Sequence, residues 1–279
     1  MIESQLIRKI EEFIYAKPRS IQEVSFHIGK SWRTADRYVE HICKEFGTIA
    51  TRTFRGGSRG ALKIVYWASM EKVSGSVFQE MLETHIISSK KKEDFSAFDI
   101  FQHVPDSNKR VWVEEEKSEE LTDLKSLADL LSKANRQLLV LSGNLSFINL
   151  KNKEVDLFKI IDKLVSRGVS IKVVCRVDIA GDENIEHMLS LNFKHGKELI
   201  EIRHREHPVR GFIVDNSVMR LKEIKEPTGK THELKKKLFI FYIIKDKEWI
   251  DWLSRIFWKM FSSSIDAKRR IVEIRKLKH

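Results

Sequence analysis

The sequence predicts an α/β protein overall, with an α+β N-terminal unit of helices closed by a β-hairpin and a C-terminal α/β domain built on a mixed sheet. Three observations carry this. Apolar residues recur at helical spacing over residues 6–46, two short strands follow around RGGSRG, and strands alternate with helices from residue 121 onward. The 279 residues and 42% hydrophobic content suffice for two ordinary cores.

Leu6, Ile7, Ile10, Phe13 and Ile14 predict a helix that stops near Ala16, because Pro18 disfavours helix in the residue before it. Ser20 caps a second short helix whose Ile21, Val24 and Ile28 share a face, and Gly29 ends it. Ser31 caps a third. There Ala35, Val39, Ile42 and Phe46 fall on one face, and Arg33, Thr34, Arg37 and Lys44 on the other. Residues 48–54 alternate as a strand, RGGSRG turns, and residues 61–67 return.

Two helices joined by a glycine-containing turn, the second cationic outward, then a hairpin carrying Arg52, Arg55 and Arg59, resemble a winged helix-turn-helix domain over residues 1–68. The resemblance implies double-stranded DNA as a partner. Ser31, Trp32, Arg33, Thr34 and Arg37 would meet the major groove, arginine reading guanine edges while Thr34 and the wing arginines hold phosphates. Lys44 and Lys63 complete the cations of helix and wing, and Trp32 either reaches the groove or packs inward. Winged helices also serve as protein-interaction modules, in which such cations are only solvated.

The net charge of +11 is uneven: residues 1–68 hold 12 Lys/Arg against 7 Asp/Glu, residues 69–120 hold 7 against 12, and residues 121–279 hold 32 against 21. Basic balance favours polyanionic partners. The acidic stretch 69–120 starts with an amphipathic helix of Val77, Phe78, Met81, Leu82 and Ile86. It continues with Phe95, Phe98, Phe101 and Trp112, too aromatic for a free linker and too charged for a core strand. It reads as a connector that docks or dimerises, and a homodimer is expected because helix-turn-helix proteins usually occupy paired half-sites. No run of about 18 apolar residues occurs and the N-terminus mixes charges into its apolar residues, so no membrane partner, no signal peptide and a cytoplasmic location are expected. Cys43 and Cys175 read as core thiols, and neither a cofactor nor a metal is expected.

In residues 121–279, a helix leads into QLLVLSG, a second helix ends at Gly168, and VSIKVVCRV returns, a βαβ unit with parallel strands. Further strands and the closing helix DKEWIDWLSRIFWKMF follow, then the basic tail KRRIVEIRKLKH, read as a solvated terminus or an extra DNA contact. The phrases ANRQLLVLSG, LVSRGVSIKVV and IEIRHREHPVRGFIVDN resemble one phospholipase D-like half. Joined to the N-terminal unit, they are similar to archaeal transcriptional regulators of the TrmB type over residues 121–262.

Active members of that superfamily carry HxKx4D, a histidine attacking phosphorus, a lysine on the non-bridging oxygens and a supporting aspartate. Only His195 has a lysine two positions on, and Ile202 stands where the acid belongs. Aligned on the acid, Asp215 takes the aspartate's place, Arg210 the lysine's and Pro208 the nucleophile's, with His207 adjacent. The resemblance therefore implies a chain that is not an enzyme. Arg210, Asp215, His207 and His204 then form either a buried Arg–Asp ion pair or a pocket for a small anionic effector. A sequence-specific DNA-binding regulator is the leading expectation; a DNA-targeted phosphodiesterase or nuclease and a non-regulatory adaptor are the alternatives.

Overall fold

The structure is a computed structural model that describes residues 4–55, 61–68, 75–116, 123–227 and 236–276. It is a mixed α/β fold with a three-stranded and an eight-stranded sheet. At the N-terminus, α1 (Ser4–Ala16), α2 (Ile21–Ile28) and α3 (Trp32–Glu45) close around Ile10, Ile14, Val24, Val39 and Ile42. Beside them β1 (Arg19–Ser20), β2 (Ile49–Arg55) and β3 (Ala61–Trp67) form an antiparallel sheet in the order β1-β3-β2.

The helix ends follow their sequence signals. Ser20 accepts from the Glu23 amide while the Glu23 carboxylate accepts from the Ser20 amide, a reciprocal cap that fixes where α2 begins. Gly29 ends α2 at φ +66°, and Ser31 starts α3 by accepting from the Thr34 amide. Phe46 departs from expectation. It caps α3 beyond its last turn and is 53% exposed, so the buried stripe ends at Ile42.

The larger sheet runs β11-β7-β6-β5-β8-β9-β10-β4. In chain order its strands are β4 (Lys109–Glu115), β5 (Gln137–Leu141), β6 (Ser170–Cys175), β7 (Ile200–His204), β8 (Gly211–Val214), β9 (Val218–Lys225), β10 (Leu238–Ile244) and β11 (Ile265–Asp266). β5, β6 and β7 are parallel and every other pairing is antiparallel, so the sheet is mixed as expected. One face is covered by α6 (Asp123–Ser132), α7 (Leu157–Ser166), α8 (Asp182–His195) and α10 (Ala267–Lys276). The other lies under α4 (Gly75–Ser88), α5 (Phe98–Phe101) and α9 (Lys247–Ser262).

One stretch fits its sequence reading and another departs from it. Residues 109–115, judged too charged for a core strand, are β4, which sits at the edge of the sheet beside β10 with Arg110 and Glu115 exposed. The basic tail is α10 through Lys276, because Ala267, Ile271 and Ile274 recur at helical spacing and are buried against the sheet.

The wing shares its core with the large sheet. Phe54, Leu62 and Ile64 of β2 and β3 join Phe98 and Phe101 of α5, with Leu221, Ile240 and Tyr242 beneath. The Phe54 ring meets those of Phe98 and Phe101 edge-on at centroid distances of 5.9 and 6.2 Å. A second joint is polar. The Lys225 ammonium of β9 lies 2.9 Å from Glu223 and 3.0 Å from Glu23 of α2, and Glu223 also accepts from Ser96 and the Tyr242 hydroxyl. Burial alone would raise the Glu23 carboxyl, but Lys225 and the Ser20 amide hold it at about 2.

β8 crosses β9 so closely that a Cβ on Gly211 would stand 2.4 Å from the Arg220 carbonyl oxygen. Gly211→Ala should therefore cost about 1–3 kcal/mol through backbone displacement. The expected signature is a lower denaturant midpoint at unchanged slope; an unchanged midpoint would show that the two strands can separate freely. Among the described residues, no helix is long and apolar enough to cross a membrane.

Candidate nucleic-acid interface and anion site

α3 presents a cationic ridge because its inward positions, Ala35, Val39 and Ile42, are fully buried and force the intervening residues outward. Arg33, Arg37 and Lys44 are exposed there. Arg33 lies 5.8 Å from the Trp32 ring and Arg37 5.7 Å from that of Tyr38, aromatic supports that hold each guanidinium along the helix. Trp32 itself packs against the N-terminal core. Thr34 shares a 2.9 Å hydroxyl hydrogen bond with Ser31, so both side chains belong to the cap at the start of α3.

The wing cations divide. Lys63 pairs with Asp36 at 2.5 Å and Glu40 at 3.0 Å, both on α3, and so ties the wing to the helix. Arg52 turns to the docked side, 5.0 Å from the Phe101 ring and 3.8 Å from Asp106. Arg59 and the side chain of Arg55 lie outside the described residues.

HREHPVRGFIVDN folds as the end of β7, a bend and β8. His204 is half-buried at the end of β7, and its Nδ1 accepts from the Val177 amide at 2.8 Å; burial lowers its pKa. His207 is buried, with Nε2 donating to the Val174 carbonyl at 3.0 Å. Burial and then Arg210 push it down to about 3, so it is neutral at ordinary pH. Pro208 occupies the next position.

Arg210 and Asp215 are not brought together. They flank β8, roughly 15 Å apart along an extended chain. Asp215, at φ +49°, accepts from the amides of Asn135, Arg136 and Gln137 at 2.8 Å each, pinning the start of β5. Burial would raise its pKa, but those three amides hold it below the usual carboxylate range. Arg210 Nη1 donates to the carbonyls of His207 and Val209, each at 2.8 Å, while Nη2 and Nε lie along Gly143. A Cβ on Gly143 would stand 3.2 Å from Nη2, so glycine lets the guanidinium lie flat on the loop. The expected ion pair is therefore replaced by two separate side chain to backbone anchors.

Arg210 opens instead into a cleft of about 240 Å³ between the Ser142-Gly143-Asn144 loop, the start of α6 and the face of β9 and β10. Arg220 and Asp123 form a buried ion pair in its wall, and Lys222 faces it from β9. The sequence reading missed these residues. The signal was the alternation in VMRLKEIK, which sends Met219 and Leu221 to one core and Arg220 and Lys222 to the opposite face. Among the described residues no His, Cys, Asp and Glu cluster could hold a metal. Cys175 is buried, its thiol pushed up to about 12, which makes it part of the core.

No family model matches the chain, and no curated protein matches it in sequence. Solved structures do. A phospholipase D family member, Nuc from Salmonella typhimurium, is 15% identical with a TM-score of 0.40, over 57% of this chain and 97% of that one. TrmBL2, an archaeal chromatin protein with a novel mode of DNA binding, is 14% identical with a TM-score of 0.37, over 94% of each chain. Phosphatidylserine synthase from Haemophilus influenzae Rd KW20 is 10% identical with a TM-score of 0.38, over 57% of this chain and 39% of that one. The expectation that this chain is not an enzyme is corrected: its neighbours include an enzyme and a phospholipase D family member.

Proposed function

We propose that the protein binds double-stranded DNA through α3 and the wing as a sequence-specific transcriptional regulator of the TrmB type. In this reading it acts as a homodimer, with the large-sheet domain serving dimerisation or the sensing of a small anionic effector. The observation that carries the DNA contact is the charge balance on α3. Lys63 takes up the carboxylates of Asp36 and Glu40, while Arg33 and Arg37 make no ion pair with a described residue and stay exposed. An exposed cationic ridge on a capped helix is the surface that enters a major groove.

In this reading Arg33 and Arg37 reach base edges, Ser31, Trp32 and Thr34 set the angle of entry, and Lys44, Arg55 and Arg59 contact phosphates, while Arg52, held by Asp106, does not. Selection from random duplexes should yield an enriched site, with affinity falling steeply as salt rises. Arg37→Ala should weaken that site about 10- to 100-fold and relax its sequence preference. Lys44→Ala should instead weaken all duplexes alike and reduce the salt slope by about one. No enriched site would remove the regulatory reading, and an unaltered affinity in Arg37→Ala would remove α3 from the interface.

A further inference from the structure

The cleft beside Arg210 is lined by three cations, Arg210, Arg220 and Lys222, against two carboxylates, Asp123 and Glu114, and so keeps a net positive charge. Arg210 spends Nη1 on two carbonyls and has no carboxylate partner among the described residues. Lys222 is its direct cross-strand neighbour, since the Lys222 amide donates to the Arg210 carbonyl at 2.8 Å. The Cβ atoms of residues so paired stand about 5 Å apart on one face. The Lys222 ammonium forms no hydrogen bond or ion pair with a described residue and sits 4.1 Å from the Phe239 ring. Arg220, only 3% exposed, is neutralised by Asp123, yet Arg220 Nε and Asp123 Oδ1 are both buried without a partner in the cleft wall. Unpartnered buried polar atoms beside two cations that outnumber the one remaining carboxylate, Glu114, suit a polar, anionic ligand.

The remaining walls are aromatic and aliphatic: Phe147 and Leu150 on one side, Phe239 and Phe241 on the other. Phenyl rings favour flat partners. The volume, below the roughly 300–1,000 Å³ of typical ligand pockets, calls for a compact molecule.

We propose that this cleft binds a small anion carrying a flat apolar ring, with Arg210 and Lys222 clamping the anionic group and Phe239 and Phe241 backing the ring. The inference rests on reading the large-sheet domain as an effector site and deepens it by naming Lys222 and the ligand class.

The test titrates the full chain with phenylphosphonate, which has no ester bond to cleave, and with inorganic phosphate, by calorimetry. Phenylphosphonate should bind at least about tenfold more tightly than phosphate. Lys222→Met, which keeps the stem on the rings, should weaken phenylphosphonate by about tenfold or more while melting as the parent does. Lys222→Gln serves as a second variant should the first melt lower. Phe239→Ala should erase the preference for the ring and keep phosphate binding.

If neither anion binds, the effector-site reading falls together with this one. If phosphate binds equally well and both Lys222 variants are silent, only the present inference falls. DNA affinity, measured on the same variants, reports on α3 separately.

Discussion

Replacing Lys225 with methionine should destabilise the protein by about 3–5 kcal/mol, because it leaves the buried Glu223 carboxylate without its ammonium and Glu23 with only Arg19, 3.8 Å away. Lys225 is 8% exposed, as is Glu223, and its ammonium bridges Glu223 to Glu23. Methionine fills the same volume, so the loss would come from charge rather than from a cavity. For a chain of this size the melting temperature should fall on the order of 10 °C. Adding Glu223→Gln should restore part of it, since the remaining amide can still accept from Ser96 and Tyr242. A cost under about 1 kcal/mol for the single variant would mean that water reaches the bridge.

As pH falls below 6.5, His207 should draw stability out of the fold at a rate approaching 1.4 kcal/mol per pH unit. The sign follows from its position. The folded imidazole titrates near 3 against an ordinary 6.5, so between those values the unfolded chain binds a proton that the folded chain refuses. Lower pH then favours the unfolded state, while above 6.5 the contribution vanishes. His207→Gln keeps a donor for the Val174 carbonyl and removes the titration. Denaturant midpoints for parent and variant should therefore diverge between about pH 7 and 5, the variant showing the shallower decline. Parallel declines would show that the buried ring is hydrated. The difference between the two proteins isolates His207 from the carboxylates, which add their own acid loss lower down.

The N-terminal unit was legible because its signals are local. Ser20 with Glu23, Gly29 and Ser31 act within one turn of their own helices, and the stripe Ala35, Val39, Ile42 needs no distant partner to be recognised. The parallel βαβ unit was legible for the same reason. What could not be read was long-range. Nothing near Phe54 or Leu62 announces that the wing buries its apolar side under α5. The charges of 109–115 hide a strand whose place at the sheet edge depends on β10, more than 120 residues later. The spacing of Arg210 and Asp215 matches a family motif, yet the two serve backbone groups at opposite ends of β8. Motif spacing is a statement about sequence, and a four-residue strand is enough to separate its members.

β9 is a wall with two tenants. Arg220 and Lys222 face the cleft, while Glu223 and Lys225, one residue out of step, face α2 of the N-terminal unit through Glu23. In the proposed reading, a molecule in the cleft and a duplex on the N-terminal unit would lean on a single strand from opposite sides. Thermodynamics then imposes a symmetry: whatever factor an occupied cleft applies to duplex affinity, an occupied duplex site applies to the cleft. Measuring either direction measures both.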